Sequence, residues 1–129
     1  MRTVLVADDE KNIRSSLATT FRMEGYRVET AENGLLAVAA VKKRRYGLVL
    51  MDIAMPEMDG FEAARTIRAL EGETGTVPIV AMTAGAFNED KERCLDAGMD
   101  DYLSKPVVRA ELLRAVDQWL KAPESKAIH

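Results

Sequence analysis

Short apolar runs alternate along this chain with longer stretches in which apolar residues recur every three or four positions. The short runs are typical of strands buried on both faces, and the longer pattern is typical of helices with one apolar side. A chain that alternates the two folds as βαβ units, which build a parallel sheet covered by helices. We therefore predict an α/β fold with a doubly wound, five-stranded parallel sheet and five helices.

The pattern also predicts the individual elements. The predicted strands are Val4–Ala7, Arg27–Ala31, Leu48–Met51, Pro78–Met82 and Tyr102–Ser104. Helical spacing predicts inward-facing residues at Ile13, Leu17 and Phe21, at Leu35, Val38 and Val41, at Phe61, Ala64 and Ile67, and at Leu112, Val116, Trp119 and Leu120. Helices commonly end at a left-handed residue, and Gly25, Gly47 and Gly98 each follow a helical stretch. We expect a loop over Glu71–Thr76 and a frayed tail over Ala122–His129.

Size and charge restrict the class of protein. The chain has 129 residues, which suits one domain with one sizeable core. Its 18 basic and 21 acidic residues leave a net charge of −3, which disfavours direct binding to nucleic acid. Its apolar runs are far shorter than the roughly 20 residues of a membrane-spanning helix, and no signal peptide is visible. We expect no membrane insertion and a cytoplasmic location.

The cysteine and histidine content excludes several chemistries. Cys94 is the single cysteine and His129 the single histidine, so this chain has no disulfide, no Cys/His zinc site and no histidine-based triad. Any chemistry must therefore use carboxylates, hydroxyls and lysine.

Polar residues follow four of the predicted strands. In a parallel α/β sheet, ligands bind outside the carboxyl ends of the strands, so these positions are candidates for a functional site. They are Asp8-Asp9-Glu10 after the first strand, Asp52 after the third, Thr83-Ala84-Gly85 after the fourth and Ser104-Lys105-Pro106 at the fifth. The sequence thus predicts carboxylates and a lysine at one edge of one sheet.

Each of these residues also has an ordinary structural interpretation. Asp8 and Asp9 suit the N-terminal end of the next helix, where carboxylates accept free N–H groups. Thr83 is a common kind of residue at the end of a strand, and Lys105 alone suggests a surface lysine. Asp52 is harder to explain in this way, because a carboxylate beside the apolar run Leu48–Met51 needs a cation or a lysine as partner.

In combination, these motifs closely resemble the receiver domains of two-component response regulators, in a form similar to the chemotaxis regulators. The matching segments are Val4–Glu10, Leu50–Gly60, Pro78–Ala84 and Ala97–Pro106. The second half resembles receivers attached to hybrid sensor kinases, and the first half resembles those of transcriptional regulators. The resemblance implies a flavodoxin-like receiver fold with strand order 2-1-3-4-5, formed by residues 1–121 and followed by a flexible tail at 122–129.

The resemblance also implies a role for each candidate residue. Asp52 would be the nucleophile that becomes aspartyl phosphate, and Mg²⁺ would be held by Asp8, Asp9, Asp52 and the backbone carbonyl of Ala54. Lys105 and Thr83 would contact the phosphoryl group, together with backbone groups of Ala54 and Ala84.

Two further features are implied by the resemblance alone. The Lys105–Pro106 peptide bond would be cis, and Tyr102 would form a switch with Thr83, turning inward when Thr83 moves toward phosphate. Without the resemblance, Tyr102 would be read as an ordinary half-buried tyrosine.

The implied function is a signalling module of a phosphorelay that is switched by phosphorylation, not an enzyme acting on a separate substrate. It would accept its phosphoryl group from a sensor histidine kinase or a histidine phosphotransfer protein, assist its own phosphorylation and dephosphorylation, and act on an unidentified protein target. A phosphohydrolase with an aspartyl-phosphate intermediate is the main rival, but it needs a second aspartate where this chain has Ala54. A flavin-binding electron carrier is also disfavoured, because Asp8-Asp9-Glu10 would repel its phosphate.

Overall fold

The computed structural model describes residues 3–84 and 88–121, apart from the side chains at 88, 89 and 121. Five strands and five α-helices alternate in this part of the chain, as predicted. The strands are β1 (Thr3–Ala7), β2 (Arg27–Ala31), β3 (Leu48–Asp52), β4 (Ile79–Thr83) and β5 (Asp101–Ser104). The helices are α1 (Lys11–Met23), α2 (Gly34–Lys43), α3 (Gly60–Arg68), α4 (Asn88–Asp96) and α5 (Arg109–Val116).

All neighbouring strands are parallel, and their order is β2-β1-β3-β4-β5. The chain therefore reverses its direction of travel across the sheet after β2, between the neighbours β1 and β3. This is the point at which a doubly wound sheet opens a crevice at the carboxyl ends of its strands.

The sheet separates two hydrophobic clusters, because successive side chains of a strand point to opposite faces. On one face, Leu5, Val49 and Ile79 pack with residues of α2, α3 and α4. On the other face, Val4 and Leu50 pack with residues of α1 and α5. Both faces are thus covered, which explains why the three central strands are apolar almost throughout.

The boundaries of four strands differ from the prediction by one residue. The strands β1 and β5 begin one residue earlier, at Thr3 and Asp101, and β3 and β4 end one residue later. Asp52 and Thr83 are the last residues of β3 and β4 and do not follow these strands. Pro78 lies outside β4, because it has no N–H to donate, although its carbonyl still accepts a hydrogen bond from Val49 N at 2.9 Å.

The prediction for α2 was wrong at Leu35, which is 49% exposed. The buried side of α2 is instead formed by Gly34, Ala37, Val38 and Val41. Gly34 packs on the Met58 carbonyl so closely that a Cβ atom would lie 2.2 Å from its oxygen. This contact orients the helix and turns Leu35 toward solvent.

Three predictions about connecting segments have mixed outcomes. Gly25 and Gly98 end their helices with positive φ, as predicted, but Gly47 is not among the glycines with positive φ, and α2 ends four residues earlier. The segment predicted as a loop contains a short 3₁₀ helix, Gly72–Thr76. The predicted tail at 122–129 lies outside the described residues.

Candidate functional site

Three carboxylates meet at the carboxyl edge of the sheet, where β1 lies beside β3. Asp8 follows β1, Asp9 comes next, and Asp52 ends β3; one oxygen from each lies within 4.8 Å of the others. Asp8 is fully buried, Asp52 is 4% exposed, and Asp9 is exposed to solvent. The structure therefore brings together three acidic residues that the sequence places 44 positions apart at most.

Lys105 reaches the two buried carboxylates from the end of β5. Its Nζ atom lies 2.9 Å from Asp8 Oδ2 and 3.0 Å from Asp52 Oδ2. The backbone N–H of Lys105 donates to the Thr83 carbonyl at 2.7 Å, which joins it to the end of β4. The Lys105–Pro106 peptide bond is cis. Lys105 is thus an internal partner of the acidic cluster and not a surface lysine.

The surroundings shift the pKa values of Asp52 and Lys105. Burial raises the pKa of Asp52 to about 6, although hydrogen bonds from Ala54 N–H and Lys105 act in the opposite direction. Burial by itself lowers the pKa of Lys105, but the carboxylates of Asp8 and Asp52 outweigh it, so that pKa is raised. Lys105 therefore stays charged, and Asp52 is a more basic carboxylate than a solvent-exposed aspartate.

Asp8 combines the two roles considered for it. Its Oδ1 accepts the backbone N–H of Glu10 at 2.9 Å, just before α1, while its Oδ2 pairs with Lys105. The residue at the N-cap position is Glu10, whose side chain makes no capping hydrogen bond. Asp8 thus shapes the turn into α1 and belongs to the acidic cluster at the same time.

The loop after β3 supports the position of Asp52. Asp52 Oδ1 accepts the N–H of Ala54 at 3.1 Å. Gly60, the first residue of α3, lies against the Asp52 backbone, where a Cβ would come within 2.5 Å of the carbonyl oxygen. The preceding residue, Asp59, caps α3 by accepting the Glu62 N–H at 2.8 Å. The Asp59-Gly60 pair therefore fixes the loop that carries Ala54, a structural role that the sequence analysis did not assign.

The two residues proposed as a switch lie on neighbouring strands. Thr83 is buried at the end of β4, and Tyr102 is half-buried on β5. The ammonium nitrogen of Lys91, on α4, lies 5.0 Å from the centre of the Tyr102 ring. Ala84, directly after Thr83, is exposed at the same edge of the sheet. Gly85 lies outside the described residues.

Two arginines near the site were missed by the sequence analysis. Arg93, on α4, lies 4.2 Å from the centre of the Phe61 ring and lines a groove with Asp9 and Ala54. Arg14, on α1, donates to the carbonyl of Asp8 at 2.8 Å. One feature of the sequence could have indicated a role for Arg14. It lies within two helical turns of the acidic segment, on a helix that is otherwise amphipathic.

The residues present fit a divalent cation. Three carboxylates and one ammonium group leave an excess of two negative charges when all are ionised. Hard carboxylate and carbonyl oxygens are the ligands that Mg²⁺ prefers, and the exposed Asp9 leaves one side accessible to water molecules that this ion retains.

No helix within residues 3–84 and 88–121 is both long enough and apolar enough to cross a membrane.

Comparison with known proteins gives a consistent result. A family model of the response regulator receiver domain matches residues 4–117. Sensor protein GacS of Pseudomonas syringae pv. syringae is 42% identical over 118 residues, which cover 90% of this chain and 13% of GacS. More generally, this chain spans 6% to 15% of the length of five such signalling proteins.

Two solved structures are similar over most of their own length. The receiver domain of sensor histidine kinase PA1611 from Pseudomonas aeruginosa PAO1, which has magnesium in its active-site cleft, is 41% identical with a TM-score of 0.86; the match covers 93% of this chain and 98% of that one. The receiver domain of the Saccharomyces cerevisiae response regulator Ssk1, solved with the phosphotransfer protein Ypd1, is 32% identical with a TM-score of 0.88. The match covers 92% of this chain and 88% of that one. The sheet order, the acidic cluster with its lysine and these matches lead to one conclusion: this chain belongs to the response regulator receiver domain family and is a receiver domain of a two-component phosphorelay.

Proposed function

We propose that Asp52 accepts a phosphoryl group from a phosphohistidine, and that this modification switches the domain between two signalling states. The observation that carries the proposal is the contact of Lys105 with Asp52, at 3.0 Å, inside a cluster of three carboxylates. One Asp52 oxygen attacks phosphorus, and the phosphorus–nitrogen bond of phosphohistidine breaks. The bonding electron pair stays on the imidazole nitrogen, which takes a proton from solvent as the neutral imidazole leaves. An unshielded carboxylate would be repelled by the incoming anionic phosphoryl group, so the surrounding cations are essential.

Asp9, Asp52 and the carbonyl of Ala54 would hold Mg²⁺, with Asp8 acting partly through water. When bound, the ion offsets the negative charge that accumulates between Asp52 and the phosphoryl oxygens. A similar receiver domain, that of PA1611, contains magnesium in its active-site cleft. The convergence of three carboxylates within 4.8 Å supports a magnesium site at these residues of this chain.

The remaining contacts to the phosphoryl group would come from four residues. Lys105 supplies a positive charge, the Thr83 hydroxyl donates a hydrogen bond, and the N–H groups of Ala54 and Ala84 bind phosphoryl oxygens. Both Thr83 and Ala84 lie at the end of β4, beside the end of β3 that carries Asp52. These groups serve both the formation and the hydrolysis of the bond between Asp52 and the phosphoryl group, so the domain assists both reactions on itself. It is not an enzyme for a separate substrate.

The proposed donor is a sensor histidine kinase or a histidine phosphotransfer protein. GacS, a sensor protein, contains a region similar to this chain, and the similar Ssk1 receiver was solved together with the phosphotransfer protein Ypd1. An unidentified downstream protein would read the phosphorylated state. The cytoplasmic location and the division into a domain at residues 1–121 and a tail at 122–129 are part of this proposal.

Acetyl phosphate provides the direct test. With Mg²⁺, the parent protein should gain the mass of one phosphoryl group, and Asp52→Asn should gain none. Asp96→Asn, which removes an exposed carboxylate at the end of α4, is the matched control and should behave as the parent. Incorporation should also disappear when Mg²⁺ is chelated. Equal incorporation in the parent and in Asp52→Asn would disprove the assignment.

A further inference from the structure

We propose that Arg14 is a positioning residue that holds the Asp8–Asp9 peptide group, and through it the Asp9 carboxylate, in place for a divalent cation. This inference rests on the magnesium site described under the proposed function. Arg14 lies in the first half of α1, and one guanidinium N–H donates to the Asp8 carbonyl at 2.8 Å.

The backbone around Asp8 has three other anchors. Asp8 N–H donates to the Ala31 carbonyl at 3.1 Å, and its side chain binds Glu10 N–H and Lys105. Its carbonyl oxygen is the remaining polar group, and Arg14 occupies it. That carbonyl and the N–H of Asp9 belong to one planar peptide group. Holding the carbonyl oxygen in place therefore also sets the orientation of the backbone at the start of Asp9.

Asp9 depends on this backbone constraint more than its neighbours do. The carboxylates of Asp8 and Asp52 are buried and paired with Lys105. Asp9 is exposed, and within residues 3–84 and 88–121 its side chain makes no hydrogen bond or ion pair. Its place within 4.8 Å of the other two carboxylates therefore follows from the backbone.

Arg14 is itself restrained. Its side chain is 12% exposed, and its second terminal nitrogen lies 3.7 Å from Glu32 Oε1, just beyond the end of β2. The guanidinium thus links α1 to the ends of β1 and β2. A planar group with several N–H donors is suited to such a link, whereas a lysine can reach the carbonyl with a single ammonium group.

Charge and geometry make opposite predictions for the loss of Arg14. If only its charge acts on the site, removing it lowers repulsion of a cation, and Mg²⁺ binds more tightly. If Arg14 acts by holding the peptide group, removing it weakens Mg²⁺ binding despite the lost positive charge. The sign of the change therefore distinguishes the two effects.

The test uses Arg14→Met, Arg14→Lys and the control Arg22→Met. Arg22 lies on the same helix and also reaches a carbonyl six residues away, that of Val28 at 3.5 Å, but far from the acidic cluster. Mg²⁺ titrations followed by NMR should give a dissociation constant about tenfold higher for Arg14→Met, as expected when a group supporting a metal ligand is lost. Arg14→Lys should lie nearer the parent, and Arg22→Met should match it.

A second measurement is independent of the metal. Hydrogen exchange at the Asp9 amide without Mg²⁺ should accelerate in Arg14→Met beyond any general change seen in Arg22→Met. Unchanged or tighter Mg²⁺ binding in Arg14→Met would overturn the inference, and so would equal weakening in both variants. If the parent itself bound no Mg²⁺, the proposed function would fail, which is a separate result.

Discussion

Lys105 Nζ lies 3.0 Å from Asp52 Oδ2, a contact that spans 53 positions in the sequence. The lysine side chain is 19% exposed and the aspartate side chain 5%, so each partner is largely removed from water. Asp8 shares the same ammonium group at 2.9 Å. The stability of two buried carboxylates therefore depends on one lysine.

Lys105→Met should destabilise the metal-free protein by roughly 3 kcal/mol at pH 7, because it leaves two buried carboxylates without their cation. Mg²⁺ should restore part of this loss, since it binds the folded state. Urea denaturation with and without Mg²⁺ measures both effects. Lys42→Met, which removes an exposed lysine from the last turn of α2, should be nearly neutral. A Lys105→Met protein as stable as the parent would show that the pair does not support the fold.

Thr83→Ala should still accept a phosphoryl group but fail to transmit the change to Tyr102. Phosphorylation should draw Thr83 toward the phosphoryl oxygen, and a charge-assisted bond there favours one of two conformers. Beryllofluoride, a phosphoryl mimic, should shift the NMR signals of α4 and β5 in the parent, and Thr83→Ala should lose most of that response. Parent-like shifts in the variant would show that Thr83 does not take part in the switch.

Tyr46→Phe should change how stability depends on alkaline pH. Burial, followed by the hydrogen bond to Glu29 at 2.5 Å, raises the pKa of Tyr46 in the folded protein. The stability that Tyr46 contributes to the folded protein is therefore fully present below about pH 10, the pKa of tyrosine in the unfolded chain. This stability is lost as the pH rises above that value, by about 1 kcal/mol at pH 11.

Parent and variant share every other titrating group, so the difference between their free energies of unfolding isolates Tyr46. That difference should be roughly 1.5–3 kcal/mol at pH 8, the range for a hydrogen bond to a charged group, and should narrow between pH 9 and 11. A constant difference across this range would mean that Tyr46 titrates alike in both states.

Gly98→Ala should cost more stability than Gly25→Ala, although the two glycines have nearly equal φ angles of 93° and 91°. An added Cβ meets nothing within 4 Å at Gly25, whereas at Gly98 it would lie 2.7 Å from Arg68 Cγ. Arg68 would have to move, weakening its hydrogen bonds to the carbonyls of Gly98, Gly75 and Val77.

We expect Gly25→Ala to lower the free energy of unfolding by about 1 kcal/mol because of backbone strain. Gly98→Ala should lower it by at least about 1 kcal/mol more. Urea unfolding of the two variants gives the comparison directly. Equal losses would show that Arg68 adapts without cost, leaving backbone strain as the whole effect.

Much of the architecture follows from sequence patterns alone. Apolar runs such as Leu48–Met51 mark strands buried on both faces, and the amphipathic stretches between them require a layered parallel sheet. Since parallel strands end at a common edge, identifying these strands placed Asp8, Asp52 and Lys105 along one edge of the sheet, but not beside one another. The resemblance to receiver domains added the proposed roles, which no pattern of apolar residues contains.

Other features depend on contacts between different elements of the fold, and only the tertiary structure decided them. Asp8 and Asp9 are adjacent carboxylates in the sequence, yet Asp8 is buried against Lys105 and Asp9 is exposed to solvent. Leu35 is exposed because Gly34 packs on the Met58 carbonyl. Arg14 reaches the Asp8 carbonyl only because α1 turns back over the end of β1. A local pattern specifies which residues prefer burial, but packing between elements decides which of them meet.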